Sequence, residues 1–163
     1  MNLPNCTYRL LASKSTSNFE TSDAILFANQ CIQIGIITES IAALASLDEK
    51  QNSYEARQYF WDAADELGLK ELSGENAKIG YIKSYALDIV NIENKIKPIT
   101  KLYQYCLDSG DENARVFYLL FWSHRSYELN DEDKDCYYPN YNHLKANEQF
   151  VYEAKKFLNS IED

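Results

Sequence analysis

The fold class is decided by the stretch Val116-Phe117-Tyr118-Leu119-Leu120-Phe121-Trp122, the most apolar run of the chain. A run that is apolar on all sides fits a buried strand and a buried helix equally well. Its flanks favour the helix, because the preceding Asp-Glu-Asn-Ala-Arg is a good helix start and no second strand-like run exists to pair with it. We therefore predict a central helix from about residue 112 to about 127, mostly covered by its neighbours.

Start and stop signals around this stretch predict further helices. Thr38 and Asp111 are suited to cap helices, Pro98 suits a first turn, and Gly35 and Gly110 suit helix ends. One of Thr21, Ser22 and Asp23 is expected to cap the helix that ends at Gly35, and the polar residues 13–18 are expected to form a surface loop. The predicted inward-facing residues include Ala24, Phe27, Ala28, Cys31 and Ile32, then Ala56, Phe60, Ala63 and Leu67, then Ile99, Leu102, Tyr103 and Cys106, and finally Phe150, Ala154, Phe157 and Ile161.

These signals predict an all-α protein of seven or eight helices in short antiparallel hairpins. A chain of 163 residues is the size of one ordinary domain, so we predict a single helical domain over residues 1–163. Two architectures fit: a compact bundle, or a right-handed superhelix of helix pairs like the HEAT solenoids.

The charge balance predicts the kind of partner. The chain has 25 acidic and 16 basic residues and a formal net charge of -9. Such a field repels nucleic acid and anionic lipid and attracts basic molecules. We therefore predict a basic protein partner, no nucleic acid and no membrane.

The cysteines and the N-terminus predict the compartment. Cys6, Cys31, Cys106 and Cys136 are too far apart for a Cys-x-x-Cys motif, so we expect free thiols in a reducing compartment. The N-terminus lacks a basic start followed by an apolar core, and no apolar run approaches membrane-spanning length. The predicted localisation is cytoplasmic.

No catalytic or metal-binding sequence pattern in the chain is complete. Neither His124 nor His143 belongs to a His-Glu-x-x-His or comparable metal-binding motif. The sequence also has no glycine-rich phosphate loop and no nucleophile elbow. The repeat of aspartates at 131, 133 and 135 imitates a calcium loop, but Cys136 stands where glycine is needed and Asn142 where the bidentate glutamate is needed. We predict no catalytic residues, no metal and no cofactor. A small enzyme that uses a carboxylate with His124 is kept as a third hypothesis.

The residues from Tyr127 to Tyr141, here called the acidic tyrosine segment, are the predicted contact surface. The segment has five carboxylates against one lysine, and tyrosine offers large, stiff contact area. The alternative interpretation is a solvated acidic loop whose tyrosines only anchor it to the domain. A second acidic face on the third predicted helix is included as a candidate. The predicted partner-binding residues are Glu128, Asp131, Glu132, Asp133, Asp135, Tyr127, Tyr137, Tyr138, Tyr141, Asp62, Asp65 and Glu66.

Part of the chain resembles a known group of proteins. Residues 24–47 read Ala-Ile-Leu-Phe-Ala-Asn-Gln-Cys-Ile-Gln-Ile-Gly-Ile-Ile-Thr-Glu-Ser-Ile-Ala-Ala-Leu-Ala-Ser-Leu, residues 52–56 Asn-Ser-Tyr-Glu-Ala, and residues 61–69 Trp-Asp-Ala-Ala-Asp-Glu-Leu-Gly-Leu. The aromatic-alanine helix that ends at Gly35, the start of the next helix at Ser40 and the close of the third at Gly68-Leu69 resemble the opening of small helical bacterial immunity proteins. Those proteins belong to polymorphic-toxin and contact-dependent growth-inhibition loci.

The resemblance implies a cytoplasmic, non-enzymatic inhibitor that binds one cognate toxin domain, one to one, and covers its active site. The charge agrees with it, because a nuclease toxin presents a basic cleft that an acidic surface can fill. The hypothesis of another class is a helical-repeat adaptor that binds a peptide or protein partner in a concave groove lined by tyrosines.

Overall fold

A computed structural model of the protein describes residues 3–48, 53–129 and 137–161. Within these ranges the regular structure is helical and no strand is present, so the all-α prediction is confirmed. The α-helices are α1 Cys6–Leu11, α2 Ser13–Thr16, α3 Thr21–Gln33, α4 Glu39–Ala45, α5 Ser53–Glu66, α6 Gly74–Asn91, α7 Ile96–Ser109, α8 Arg115–Glu128 and α9 Ala146–Ser160, with 3-10 helices at Glu112–Ala114 and His143–Lys145.

Several helix boundaries follow the predicted chemistry. The Thr38 side chain accepts a hydrogen bond from the Ile41 backbone N–H at 3.3 Å, and Asp111 accepts one from Asn113 N–H at 3.0 Å. Gly110 ends α7 with a φ of 65°, a left-handed conformation that other residues rarely adopt. Pro98 lies in the first turn of α7, where its missing N–H costs nothing.

The contacts divide the chain into two compact units, Met1–Ser84 and Tyr85–Asp163, and the boundary falls within α6. The prediction of one domain stays a prediction. In the first unit, α3 packs against α1, α4 and α5. In the second, α8 packs against α7 and α9. In the described parts of the chain, no helix is both long and apolar enough to cross a membrane.

The core of the first unit is built around aromatic rings. Phe60 is fully buried, and its ring centroid lies 5.4 Å from that of Phe27 and 5.2 Å from that of Trp61. The predicted stripe of α5 is therefore confirmed at Ala56, Phe60 and Ala63. Ile32 was predicted to face inward, but its side chain is 37 % exposed because it lies at the edge of the buried face of α3.

The N-terminal region departs from the prediction. Within the surface loop predicted for residues 13–18, residues 13–16 instead form the short helix α2, whose C-cap Ser17 has a φ of 58°. Contacts with the segment before α6 stabilise it, because Lys14 pairs with Glu71 at 2.9 Å and Ser15 donates to the Leu72 carbonyl at 3.2 Å.

The cap predicted for α3 is also different. Helix α3 has Glu20 at its N-cap position and no side-chain cap. Asp23 instead binds the Arg9 guanidinium through both carboxylate oxygens, at 2.7 and 2.6 Å. Arg9 is 4 % exposed and also donates to Ser84 Oγ at 2.9 Å, so a charged group lies inside the first unit with its hydrogen bonds satisfied.

In the second unit, the central helix forms as predicted, with Phe117 and Leu120 fully buried. Its first three predicted residues form the 3-10 helix that precedes it. On α7, Tyr103 and Cys106 are half-buried rather than core residues. The tyrosine of α7 that is buried is Tyr105, and its hydroxyl donates to Asp111 at 3.0 Å.

Candidate functional site

The two ends of the acidic tyrosine segment lie within the described residues. Tyr127 and Glu128 form the last turn of α8, and Tyr137, Tyr138 and Tyr141 precede α9. The predicted contact residues Asp131, Glu132, Asp133 and Asp135 lie outside the described residues.

Both ends of the segment are attached to α8. The segment leaves the helix after Leu129, and the Tyr138 backbone N–H donates to the buried Ser123 Oγ at 2.9 Å. Ser123 lies six residues before Leu129, about 9 Å along the helix axis at 1.5 Å per residue. Tyr137 stacks on Trp122, with ring centroids 6.0 Å apart. Tyr127 and Tyr138, near the two ends of the segment, are therefore both held at α8.

Tyr138 also joins the segment to α9. Its hydroxyl donates to Glu153 Oε1 at 2.7 Å, and Glu153 is 7 % exposed. Burial, the hydrogen bond to Glu153 and the charge of that carboxylate raise the pKa of Tyr138 well above its usual range. The phenol keeps its proton at neutral pH and remains a donor to the carboxylate.

Tyr141 is held by a histidine. Its hydroxyl lies 2.9 Å from His124 Nδ1, and His124 Nε2 lies 3.6 Å from Glu128 Oε1. Burial raises the pKa of Tyr141 to about 12, so the phenol is protonated and can donate to Nδ1. We assign the ring proton of neutral His124 to Nε2, because that nitrogen faces a carboxylate, which can only accept.

The two histidines are neighbours in space. The rings of His124 and His143 stack at 5.3 Å, and Tyr127 stacks on His143 at 4.0 Å. Residues 3–48, 53–129 and 137–161 contain no group of three or more His, Cys, Asp or Glu side chains placed to hold a metal ion. The stacked rings of His124, His143 and Tyr127 pack the start of the segment against the residues that precede α9.

The environment of His124 predicts a pH dependence of stability. Burial lowers the pKa of His124 below its ordinary value of 6.5, the nearby charges of His143 and Arg125 lower it further, and Glu128 opposes them. A lowered folded-state pKa means that His124 adds stability that is fully present above about pH 6.5, the unfolded value, and is lost as the pH falls through the folded value.

Urea unfolding at pH 7.5 and pH 5.5 measures this effect. We expect the wild type to lose more free energy of unfolding between these values than His124→Gln, which has no proton to gain. An equal loss in both proteins would contradict the assignment of this pH dependence to His124.

The second acidic face lies on α5, in the first unit. Asp62, Asp65 and Glu66 are all exposed there. Ser40 Oγ donates to Glu66 Oε1 at 2.8 Å, and hydrogen bonds from Thr38 and Ser40 lower the pKa of Glu66. Glu66 is therefore held in place in its charged form, in a different unit from the acidic tyrosine segment.

Two of the described cysteines are held as protonated thiols. Cys6 and Cys31 are buried, and Cys106 is half-buried. Burial raises the pKa of the Cys31 thiol to about 11, and burial with the charges of Glu112 and Asp111 raises that of Cys106. Both thiols are protonated at neutral pH, and the thiolate is the nucleophilic form.

A groove beside Tyr138 was not predicted. It has a volume of about 480 Å³ and lies between α8, the turn at Tyr138 and Pro139, and α9. Glu153 lines this groove. Its position three residues after Phe150 and four before Phe157 places it on the predicted buried face of α9, because residues at these spacings share one face of a helix. A carboxylate on an apolar face is the signal that sequence reasoning missed. The lining residues are Val116, Leu119, Tyr138, Pro139, Glu153, Lys156, Phe157 and Ser160.

The fold and the site define an all-α protein in which both described ends of the acidic tyrosine segment contact α8. Comparison of the chain with models of known protein families, with curated proteins and with solved structures finds no match. A proposal of function therefore rests on the residues and the charge of this chain alone.

Proposed function

We propose that this protein is a non-enzymatic immunity protein that binds one basic bacterial toxin domain, such as a nuclease, and covers its active site. The observation that carries the proposal is the attachment of both ends of the acidic tyrosine segment to α8, through Leu129 at one end and the Tyr138–Ser123 hydrogen bond at the other. A segment held at both ends loses less chain entropy when a partner binds it than a free tail does.

The charge of the segment supports a basic partner. Residues 127–141 contain five carboxylates and one lysine, within a chain of net charge -9. Opposite charge accelerates encounter between proteins and disfavours partners of like charge. A nuclease domain needs a basic cleft for the phosphates of its substrate, so the same cleft attracts this segment.

In this proposal, two of the described tyrosines hold the segment in place and a third contacts the partner. Tyr138 and Tyr141 use their hydroxyls within the chain, so they hold the segment in place. Tyr127 is 42 % exposed and offers ring surface to a partner. Leu129 and Leu144, 61 % and 92 % exposed, lie beside Tyr127 and its stacking partner His143 in the sequence and add apolar contact area.

Affinity purification at low salt, followed by measurement of the dissociation constant, tests the proposal. We expect a basic protein to copurify and to bind one to one. Changing Asp131, Asp133 and Asp135 together to Asn should weaken its binding at least about tenfold, because a hydrogen bond to a charged group contributes that much or more.

The matched control removes the same charge elsewhere in the second unit, through Asp108→Asn, Glu112→Gln and Glu148→Gln on exposed positions. We expect it to change the dissociation constant by less than about threefold, through the general field alone. If both triple variants weakened binding equally, or if neither weakened it, the partner would not bind at the acidic tyrosine segment.

A further inference from the structure

The groove between α8 and α9 combines apolar walls with one buried carboxylate. Val116 and Leu119 of α8 and Phe157 of α9 provide hydrocarbon surface, together with Pro139. Glu153 lines the same groove and is 7 % exposed. A carboxylate taken out of water is costly unless its oxygens are paired, so the partners of Glu153 decide what the groove can hold.

Glu153 has acceptor capacity to spare. Among the described residues, Tyr138 gives it one short hydrogen bond, at 2.7 Å to Oε1. Its other oxygen, Oε2, lies 3.8 Å from Lys156 Nζ, beyond hydrogen-bond distance. A carboxylate accepts up to about four hydrogen bonds. The Lys156 side chain is 67 % exposed and can swing into solvent, so it does not block a stronger donor.

We propose that this groove binds an arginine side chain of a protein partner. The methylene stem lies on Val116, Leu119 and Phe157, and the guanidinium donates to Glu153. Arginine fits better than lysine, because the planar guanidinium is weakly hydrated, stacks on aromatic rings such as Tyr138 and Phe157, and donates two parallel hydrogen bonds to one carboxylate. The apolar walls strengthen the ion pair by excluding water.

The inference rests on the proposed function in one respect: the arginine is taken to belong to the same basic protein partner. Tyr138 belongs both to the groove and to the acidic tyrosine segment, so one partner can contact both. The groove then supplies a short-range anchor for one side chain, whereas the segment supplies long-range attraction.

The test is an NMR titration of the full chain with the peptide acetyl-Leu-Arg-Leu-amide. We expect saturable shifts of the backbone amides of Val116, Leu119, Tyr138 and Glu153. The same peptide with citrulline, an uncharged isostere of arginine, should bind at least about tenfold more weakly, because the charge-assisted hydrogen bonds are lost. This comparison uses the wild-type chain and is independent of any effect of mutation on folding.

Two variants of α9 locate the binding site. Glu153→Gln keeps an acceptor for the Tyr138 hydroxyl and should weaken the arginine peptide at least about tenfold. Glu148→Gln removes the same charge from an exposed position of the same helix and should leave the dissociation constant within about twofold. Equal affinity for the arginine and citrulline peptides, equal affinity of Glu153→Gln and wild type, or the absence of saturation would overturn the inference.

The outcomes separate this inference from the proposed function. If the arginine peptide bound in the groove but no basic protein copurified, the groove would stand as an arginine site and the proposed function would be contradicted. A partner that is weakened by the change of Asp131, Asp133 and Asp135 but binds Glu153→Gln as it binds wild type would remove the groove from the interface and overturn the inference alone.

Discussion

Asp23→Asn is expected to lower the free energy of unfolding by about 3–5 kcal/mol, because it removes the charge that compensates a buried guanidinium. Arg9 is 4 % exposed and binds both oxygens of Asp23. An asparagine offers one acceptor oxygen in place of two, carries no charge and places an amide donor against the guanidinium. Urea unfolding followed by circular dichroism measures the effect, with Glu55→Gln, at an exposed acidic position of α5, as the control.

A double variant separates the ion pair from simple packing. Changing Arg9 to Met and Asp23 to Leu together removes both charges and keeps apolar volume, so we expect a smaller loss than from Asp23→Asn alone. A loss below about 1 kcal/mol for Asp23→Asn, or a double variant less stable than the single one, would show that this ion pair is not held as the structure has it.

Phe60→Ala is expected to lower the free energy of unfolding by about 3–5 kcal/mol, because it leaves a cavity at the centre of the first unit. Phe60 is fully buried and has three aromatic neighbours, Phe19, Phe27 and Trp61. The surrounding helices cannot close such a cavity without moving these rings.

Tyr54→Ala is the matched control for Phe60→Ala. It truncates an aromatic residue on the same helix whose side chain is 79 % exposed, so we expect a change within about 0.5 kcal/mol. The same denaturant titration compares the two. If Phe60→Ala cost no more than Tyr54→Ala, the aromatic cluster would not be the core of the first unit.

Local signals in the sequence were sufficient for most of the helices. The caps at Thr38 and Asp111 and the end at Gly110 are confirmed, because each depends on hydrogen bonds or backbone angles within a few residues. Helix α2 was missed, because its polar residues are stabilised by Glu71 and Leu72, far away in the sequence. Asp23 was one of three candidate caps for α3, and its actual partner Arg9 was not predicted because it lies on another helix.

The candidate site stays a prediction, and the contacts that hold its described ends were not predicted. Composition indicated the segment from Tyr127 to Tyr141, and the structure shows Tyr138 and Tyr141 bound to Glu153 and His124. Those partners lie on α8 and α9, so no spacing in the sequence reveals them. Glu153 was overlooked because only apolar residues were considered on the inner face of α9, although its position between Phe150 and Phe157 places it there.

The central claim is that this chain neutralises a basic toxin by binding it. Growth of a bacterial host that expresses the copurified basic protein, alone and together with this chain, tests it most directly. We predict that the basic protein alone stops growth, that the wild-type chain restores it, and that the variant with Asp131, Asp133 and Asp135 changed to Asn restores it less. A basic protein that is harmless alone, or whose toxicity persists although the complex forms, would contradict the claim.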